Sequence, residues 1–467
     1  MTHAIDQDHP LFAAHALLPE GWASDVLLVW DDAGCLTDVR RTETPPPAHV
    51  PRATGPLLPG MPNLHSHAFQ RAFAGLSEYR SAGSSTGADS FWTWRDLMFR
   101  FALALAPEQL EAIATHLYIE MLQAGYTSVC EFHYLHHDPA GRPYNDPAEM
   151  SFRLLAAARR AGIGITLLPV LYQDGGFGAQ AARADQRRFV NSVDALLRIV
   201  ERVRAQGARV GVAPHSLRAV APPALADLLA GLSAIDASAP IHVHIAEQAQ
   251  EVRDCIAWCG QRPVQWLLDH ASVDARWCLV HATHMDAAET RAAATSGATV
   301  GLCPSTEANL GDGVFDAVAW AGANGHWGIG SDSQASVAAA EELRWLEYSQ
   351  RLMHQSRNVL VSAHHPQVAD HLWLAGASGG ARASGRPVGA LEVGRQADFV
   401  VLDASHALAD LTPSQRLASH LFANHGRNSV CDVWVAGQQH ISAGRHTIKG
   451  PACERFVAAR SQLLCEV

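Results

Sequence analysis

The sequence lacks the segments that carry a protein into or across a membrane. No apolar run approaches the roughly 18 uninterrupted residues of a spanning helix. The first residues, MTHAIDQDHPLF, include neither a basic nor an apolar section, so we expect no secretion signal. The nine cysteines form an odd, scattered set without C-x2-C spacing, which suits a reducing compartment and argues against a structural zinc site. We therefore expect a cytoplasmic protein.

Charged residues are also scarce. They make up 17% of the chain, below the usual value of about 25%, whereas apolar residues make up 48%. This balance favours a large buried core over disorder. The net charge of −11 is spread without long runs of one sign, so nothing indicates binding to nucleic acid or to an anionic membrane. The 467 residues suit a large barrel with a smaller second domain.

Eight short apolar runs each end on a polar residue, and helical patterns separate most of them. Such runs are typical of buried parallel strands. Eight strand–helix units predict an α/β fold of the (β/α)8 TIM-barrel type, in which catalytic residues lie at the carboxyl ends of the strands. The runs are GMPNLHSH (60–67), TSVCEFH (127–133), GITLLPVLY (164–172), RVGVAPHS (209–216), PIHVHIAE (240–247), WCLVHATH (277–284), ATVGLCPST (298–306) and HWGIGSDS (326–333).

The helical patterns and the two ends of the chain complete the prediction. Apolar residues at helical spacing predict helices over 107–124, 147–161 and 338–354. Alternating segments with turn residues predict strand–turn–strand units over 25–40, 389–403 and 430–443, the last two turning at Gly394 and Gly437. We therefore expect a small β-sandwich domain built from residues 1–57 and 387–467, and a catalytic barrel over 58–386.

Two His-x-His pairs are candidates for metal binding. Chance alone gives about 1.4 such pairs in a chain with 26 histidines, so the motif by itself proves little. The first pair, His65 and His67, ends the first predicted barrel strand, and period-two alternation places both side chains on one face. Its position at the barrel mouth therefore favours a metal site. The second pair, His242 and His244, shares a face of the fifth strand, and spacing alone does not say which of them is a ligand; we choose His244 because it lies nearer the mouth.

Three further polar residues lie at strand ends. Glu247 follows the fifth strand, His281 ends the sixth and Asp332 ends the eighth. As ordinary structural alternatives, Glu247 can be a solvated carboxylate, His244 a core histidine and Asp332 a helix cap. Imidazoles together with one carboxylate suit a borderline divalent ion, most plausibly zinc, which lowers the pKa of a bound water.

These residues resemble the amidohydrolase superfamily, specifically its mononuclear-zinc deaminase branch. The resemblance runs from PGMPNLHSH through HVHIAE, VHATH and GSD to GALEVGRQADFVVLD, and it covers nearly the whole chain. It implies one Zn²⁺ per subunit and a homodimer. It also implies a site in which Glu247 shuttles protons, His281 orients the reacting group and Asp332 accepts a proton from water. The implied metal ligands are His65, His67, His244 and Asp332, and the implied substrate cradle is Gln70, Arg95, Tyr134, His215 and Arg218.

Longer strings, among them MPNLHSHAFQRAFAGL, DSFWTWRDLM and GYTSVCEFHYLHHD, resemble one branch in particular. That branch converts N-formimino-L-glutamate and water into N-formyl-L-glutamate and ammonia during histidine degradation. Two arginines at one barrel mouth suit this small dicarboxylate, because guanidinium groups bind carboxylates bidentately.

Several alternatives stay open. The chain can instead be a deaminase of a purine, a pyrimidine or a related amidine-bearing ring, or a barrel scaffold that has lost catalysis. Each arginine can also be an ordinary surface residue. Trp92 and Trp94, in the loop after the first barrel strand, either close over the site or pack within that loop.

Overall fold

The structure is a computed structural model that describes residues 9–44, 46–78, 91–423 and 428–466, with only the backbone of 91–93 and of residue 406. Its strands are β1 (His9–Leu18), β2 (Gly21–Trp30), β3 (Leu36–Arg41), β4 (Leu57–Pro59), β5 (Met61–Ser66), β6 (Tyr126–His133), β7 (Gly164–Leu171), β8 (Asp174–Gly176), β9 (Gln180–Ala181), β10 (Arg209–Val210), β11 (Ala213–Pro214), β12 (Ile241–Ile245), β13 (Trp277–His281), β14 (Thr299–Leu302), β15 (His326–Ile329), β16 (Phe399–Leu402), β17 (Val430–Val435), β18 (Gln438–Ser442) and β19 (Arg445–His446).

The helices lie mainly between the barrel strands. They are α1 (Phe91–Ala104), α2 (Pro107–Gln123), α3 (Glu149–Ala161), α4 (Val193–Arg204), α5 (Pro222–Ile235), α6 (Ala249–Cys259), α7 (Pro263–His270), α8 (Ala287–Ser296), α9 (Pro304–Leu310), α10 (Ala317–Gly322), α11 (Ala339–His354), α12 (Val368–Ser384), α13 (Pro413–Phe422) and α14 (Lys449–Glu466). The three helices predicted from periodicity correspond to α2, α3 and α11, so these predictions are confirmed.

The predicted barrel is confirmed, with a strand in each of the eight apolar runs. Parallel pairing joins β5, β6, β7 and β10 into one arc, and β12, β13, β14 and β15 into another. Isolated parallel bridges close the ring: Ser66 pairs with Asp332, Val212 with Ile241, and Ser216 with His244. Because all eight strands run the same way, their carboxyl ends meet at one mouth.

The β-rich part built from both termini is an eight-stranded sheet in the order β19-β18-β17-β16-β4-β1-β2-β3. The predicted hairpins over 25–40 and 430–443 are present as β2–β3 and β17–β18. The third prediction, over 389–403, is half wrong, because only its second part forms a strand, β16. The segment before it stays irregular and bonds to the β2–β3 turn, where Leu36 donates to the Arg395 carbonyl and Ala397 donates to that of Gly34.

Helix α2 shows how local sequence positions the barrel wall. Pro107 opens the helix, where its missing N–H costs nothing, and the Gln109 side chain accepts a hydrogen bond from the Ala106 N–H at 2.8 Å. Gly125, with φ +93°, ends it in a conformation that favours glycine. The predicted apolar stripe is buried: Leu110, Ile113, Ala114, Leu117, Tyr118, Met121 and Leu122.

Candidate active site

The candidate site lies at the barrel mouth, at the ends of four strands. β5 supplies His65, with His67 one residue beyond the strand, while β12 supplies His244. β13 ends at His281, and Asp332 follows β15 by three residues. His281 and Asp332 both have positive φ, +69° and +45°, a conformation that costs energy for a residue with a Cβ and that clusters at functional sites.

Three imidazoles and one carboxylate lie close together, around the Nε2 atom of His65. The Nε2 atom of His65 lies 3.2 Å from Nε2 of His67 and 3.1 Å from Nε2 of His244. Asp332 Oδ1 lies 3.3 Å from the Nε2 atoms of both His65 and His67. All four residues are buried. His65, His67 and His244 form one group that can hold a metal ion, and His65, His281 and Asp332 form a second group that shares His65. The set of four ligands expected from the sequence stays a prediction.

In His67 and His244, the hydrogen bond made by Nδ1 determines the protonation state of Nε2. His67 donates from Nδ1 to the Phe132 carbonyl at 2.9 Å, and His244 donates from Nδ1 to the His215 carbonyl at 3.1 Å. A neutral imidazole with its hydrogen on Nδ1 presents a lone pair at Nε2. Burial lowers the pKa of His67 and of His244, which favours these neutral forms. Converging lone pairs repel each other unless a cation lies between them.

The structure separates the two histidines that spacing left undecided. Although His242 and His244 share a face of β12, only His244 reaches the cluster. His242 lies one layer deeper and donates from Nε2 to the Ala383 carbonyl, at 2.8 Å, in the last turn of α12.

Glu247 and His281 flank the cluster on the pocket side. His281 Nε2 lies 3.7 Å from Asp332 Oδ2 and 3.9 Å from Glu247 Oε1. Burial raises the pKa of Glu247 to about 6, although His281 and Arg218 oppose the shift. Burial lowers the pKa of His281, but Glu247 and Glu307 outweigh it and raise that pKa to about 10. The site therefore holds a carboxyl group that can carry a proton near neutral pH.

The five residues of the predicted cradle line the same pocket as the cluster. Gln70 donates from Nε2 to the Tyr134 hydroxyl at 2.9 Å, and Arg218 Nη2 lies 3.9 Å from Glu247 Oε2. Arg95 and His215 complete the polar lining. Six further side chains in the wall were not predicted as binding residues: Trp94, Met98, Phe99, Tyr172, Phe189 and Leu310. The side chain of Trp92 lies outside the described residues.

The sequence reasoning also missed two carboxylates near His281. Glu307, in the first turn of α9, accepts a hydrogen bond from His281 Nδ1 at 3.2 Å and one from the Cys303 N–H at 2.9 Å. Burial raises the pKa of Asp312 to about 9, beside Glu247. A signal for Glu307 exists in the sequence, because it directly follows the seventh apolar run, 298–306.

Comparisons with known proteins agree with the fold and the site. Residues 57–439 match the amidohydrolase family. An amidohydrolase from Brucella melitensis superimposes with a TM-score of 0.92 and 47% identity, over 98% of this chain and 100% of that one. An adenosine deaminase from Xanthomonas campestris, solved with bound zinc, shares the fold at a TM-score of 0.78 and 23% identity over 98% of both chains.

The chain therefore belongs to the amidohydrolase family, and the resemblance seen in its motifs is confirmed. It is 51% identical over 459 residues to formimidoylglutamate deiminase of Pseudomonas aeruginosa, which covers 97% of this chain and 99% of that protein. Among the described ranges, no helix combines the length and apolar character that crossing a membrane requires.

Proposed function

We propose that this chain is a hydrolase of C–N bonds that converts N-formimino-L-glutamate and water into N-formyl-L-glutamate and ammonia in histidine degradation. One observation carries the proposal: 51% identity to a formimidoylglutamate deiminase over 97% of the chain. The pocket supports it with two arginines, Arg95 and Arg218, which both line it. Two cations suit a dicarboxylate, whereas a neutral purine or pyrimidine has no use for both.

The metal of this site is zinc in our proposal, one ion per subunit, held by His65, His67, His244 and Asp332. Zinc binds nitrogen and carboxylate oxygen at about 2.0–2.2 Å, so two atoms that bind the same ion lie no more than roughly 4.4 Å apart. Four of the separations among these ligand atoms are 3.1–3.3 Å, which lies below that limit. Bound there, zinc supplies a Lewis acid that brings the pKa of a water towards neutrality.

Two residues of the chain handle the protons, and a third orients the reacting group. Asp332 accepts the proton that the attacking water gives up as its oxygen bonds to the formimino carbon. Glu247, buried and with its pKa near 6, delivers a proton to the nitrogen that leaves as ammonia when the C–N bond breaks. His281 is held by Glu307 and hydrogen-bonds the imino nitrogen or the developing tetrahedral centre.

The remaining lining orients the substrate. Arg218 binds one carboxylate, and Arg95 assists from helix α1 in the lining of the same pocket. Gln70, Tyr134 and His215 complete the cradle between these arginines and the metal cluster. A mostly buried cradle of this kind holds the formimino carbon close to the cluster. Holding the reacting groups in this geometry raises the rate.

An ammonia-release assay tests the function. We expect ammonia from N-formimino-L-glutamate and none from guanine or cytosine at equal concentration. Release from a ring substrate alone would replace this proposal with the ring-deaminase alternative. Elemental analysis of the purified protein checks the zinc.

Arg218→Met tests the dicarboxylate specificity. Removing one partner of a buried ion pair typically costs about 3–5 kcal/mol, so kcat/KM for formiminoglutamate should fall by roughly two to four decades while zinc content is unchanged. Because Arg218 also lies 3.9 Å from Glu247, a formamidine without carboxylates serves as the control substrate. Equal losses on both substrates would show that Arg218 acts through Glu247 or the fold.

Three wider expectations belong to the same proposal. We propose a homodimer, as the family resemblance implies, and light scattering checks it. We propose a cytoplasmic location, which the free state of all nine cysteines supports. The division into a small β domain (1–57 with 387–467) and a barrel (58–386) also stays a prediction, which limited proteolysis at the boundaries checks.

A further inference from the structure

Arg188 is a buried arginine outside the predicted site, and its side chain is completely inaccessible to solvent. Its guanidinium donates to the carbonyls of Ala102, Leu105 (2.8 Å) and His137 (2.7 Å) and to the Tyr144 hydroxyl (3.3 Å). All four acceptors are uncharged. A buried cation bound only to neutral acceptors gains little from pairing, so a role in arrangement explains it better than a role in stability.

The acceptors belong to the elements that form the pocket wall. Ala102 lies in the last turn of α1 and Leu105 just beyond it, where helix carbonyls have no partner within the helix and attract positive charge. His137 belongs to the loop that follows Tyr134. The Arg188 carbonyl also accepts hydrogen bonds from the backbone N–H groups of His136 and His137. Arg188 thus joins α1 to two loops at one point.

Helix α1 carries one whole side of the pocket. Trp94, Arg95, Met98 and Phe99 all line it, at a spacing that places them on one face of the helix. The guanidinium of Arg95 lies 5.4 Å from the centre of the Phe99 ring. The position of α1 therefore decides where the Arg95 charge stands in the pocket.

Phe189, the residue after Arg188, packs against aromatic side chains from three other parts of the pocket lining. The Phe189 ring lies 5.8 Å from Phe99 and 5.0 Å from Tyr134, centre to centre. It also lies 5.8 Å from Tyr172. The metal cluster, in contrast, is built on β5 and β12 and after β15, with no ligand on these segments.

We infer that Arg188 is a positioning residue for substrate specificity: by binding the carboxyl end of α1 and the loop after Tyr134, it sets Arg95 and the aromatic wall relative to Arg218. The inference rests on the proposed function. Arg188 does not touch substrate in this scheme, and it acts through α1.

Arg188→Met tests the inference, with Arg187→Met as a matched control. Arg187 is exposed and donates to the carbonyls of Pro139 and Ala184, without a bond to α1. We expect Arg188→Met to raise KM for formiminoglutamate about ten- to a hundredfold, since small misplacements of binding groups have effects of that size. kcat should change far less, zinc content should stay the same, and Arg187→Met should match the wild type.

Coupling to Arg95 gives a sharper readout. If Arg188 acts through α1, adding Arg188→Met to Arg95→Met should raise KM little further, because both changes remove the same interaction. Additive effects would overturn the inference, and so would a wild-type KM in Arg188→Met.

Two measurements keep the test decisive. Arg188→Lys retains the charge but reaches fewer acceptors, so its KM should lie between those of the wild type and Arg188→Met. Loss of folded protein in both Arg188→Met and Arg188→Lys would overturn the inference in favour of a role in folding. Hydrogen exchange over residues 94–105 should speed up in Arg188→Met and not in Arg187→Met. Hydrogen exchange does not depend on turnover. A wild-type protein that is inactive on formiminoglutamate would therefore contradict the proposed function, while the exchange result would still test the role of Arg188.

Discussion

Two His-x-His pairs of identical pattern differ in what their members do. His65 and His67 both reach the cluster, because the first stands at the end of β5 and the second just beyond it. His242 and His244 stand one layer lower on β12, so only the second reaches the cluster and the first binds the Ala383 carbonyl. Depth along the strand, in addition to alternation, decides which side chain reaches the mouth.

His244→Ala and His242→Ala form a matched pair of variants. We expect His244→Ala to lose most of its bound metal, since it removes one of three converging imidazoles. His242→Ala should keep the metal and lose roughly 1–3 kcal/mol of stability, the usual cost of a buried group left without its hydrogen bond. Metal analysis and urea unfolding measure the two effects. Full metal in His244→Ala would remove it from the ligand set.

Glu247→Gln separates a proton carrier from a ligand. The amide keeps the shape of the side chain but cannot deliver a proton, so turnover should fall by about two to four decades, the usual worth of general acid–base catalysis. Zinc occupancy should be unchanged, because Glu247 lies beyond the cluster, 3.9 Å from His281. Loss of zinc in this variant would instead make Glu247 a ligand.

At the scale of secondary-structure elements, periodic patterns were predictable and irregular ones were not. α2, with seven buried apolar residues at helical spacing, was read with nearly its observed limits. The fourth barrel strand is split into β10 and β11, and between them lies Gly211, where an added Cβ would lie 2.2 Å from the Pro240 carbonyl oxygen. The residues before β16 alternate like a strand but bond to the β2–β3 turn, a tertiary contact that no local pattern contains.

In the site, too, local sequence patterns predict positions at strand ends but not contacts between distant segments. Strand ends can be found from apolar runs, so residues such as His65, His281 and Asp332 were predictable. Arg188 and Glu307 were not predicted, because their roles depend on which carbonyl or imidazole another element brings to them. Such partners are set by packing between segments far apart in the chain.

A short 3-10 helix, Ala68–Phe73, follows β5 and is tied to α2 by a partly buried ion pair. Arg71 binds Glu120 with two hydrogen bonds, 2.8 Å and 2.9 Å, and His116 lies 3.5 Å from the same carboxylate. Burial raises the pKa of Glu120, but the bonds from His116 and Arg71 outweigh it and lower that pKa from 4.5 to about 2. The pair therefore contributes stability above pH 4.5 that is lost as the pH falls through about 2.

Glu120→Gln should accordingly be less stable than the wild type at pH 7, by roughly 1–3 kcal/mol, the usual range for hydrogen bonds to charged groups. The difference should shrink between pH 4.5 and the low-pH limit of folding. Urea unfolding at a series of pH values measures it. Glu108→Gln, which removes an exposed partner of Arg153, is the control and should have a much smaller effect. A difference for Glu120→Gln that does not change with pH would contradict the assigned ion pair.

At the scale of the whole molecule, the metal cluster lies across the two places where the barrel is joined by isolated bridges. At the first seam, between β5 and β15, Asp332 donates its N–H to the His65 carbonyl at 3.0 Å and accepts from the His67 N–H at 3.2 Å. At the second, between β11 and β12, Ser216 pairs with His244. The candidate ligands are therefore the residues that close the ring, and a bound ion would cross-link both seams.

Metal removal should consequently loosen the barrel at these seams. An ion at a hundredfold excess over its Kd stabilises the folded protein by about 2.7 kcal/mol, so the metal-free protein should melt several degrees lower and recover when zinc is added. Hydrogen exchange should speed up at residues 65–67, 214–216, 242–245 and 330–332. Exchange in the hairpin β17–β18, far from the cluster in the fold, should stay unchanged and serves as the internal control. A uniform increase throughout the chain would show that the ion supports the fold as a whole, and an unchanged Tm would show that the seams hold without it.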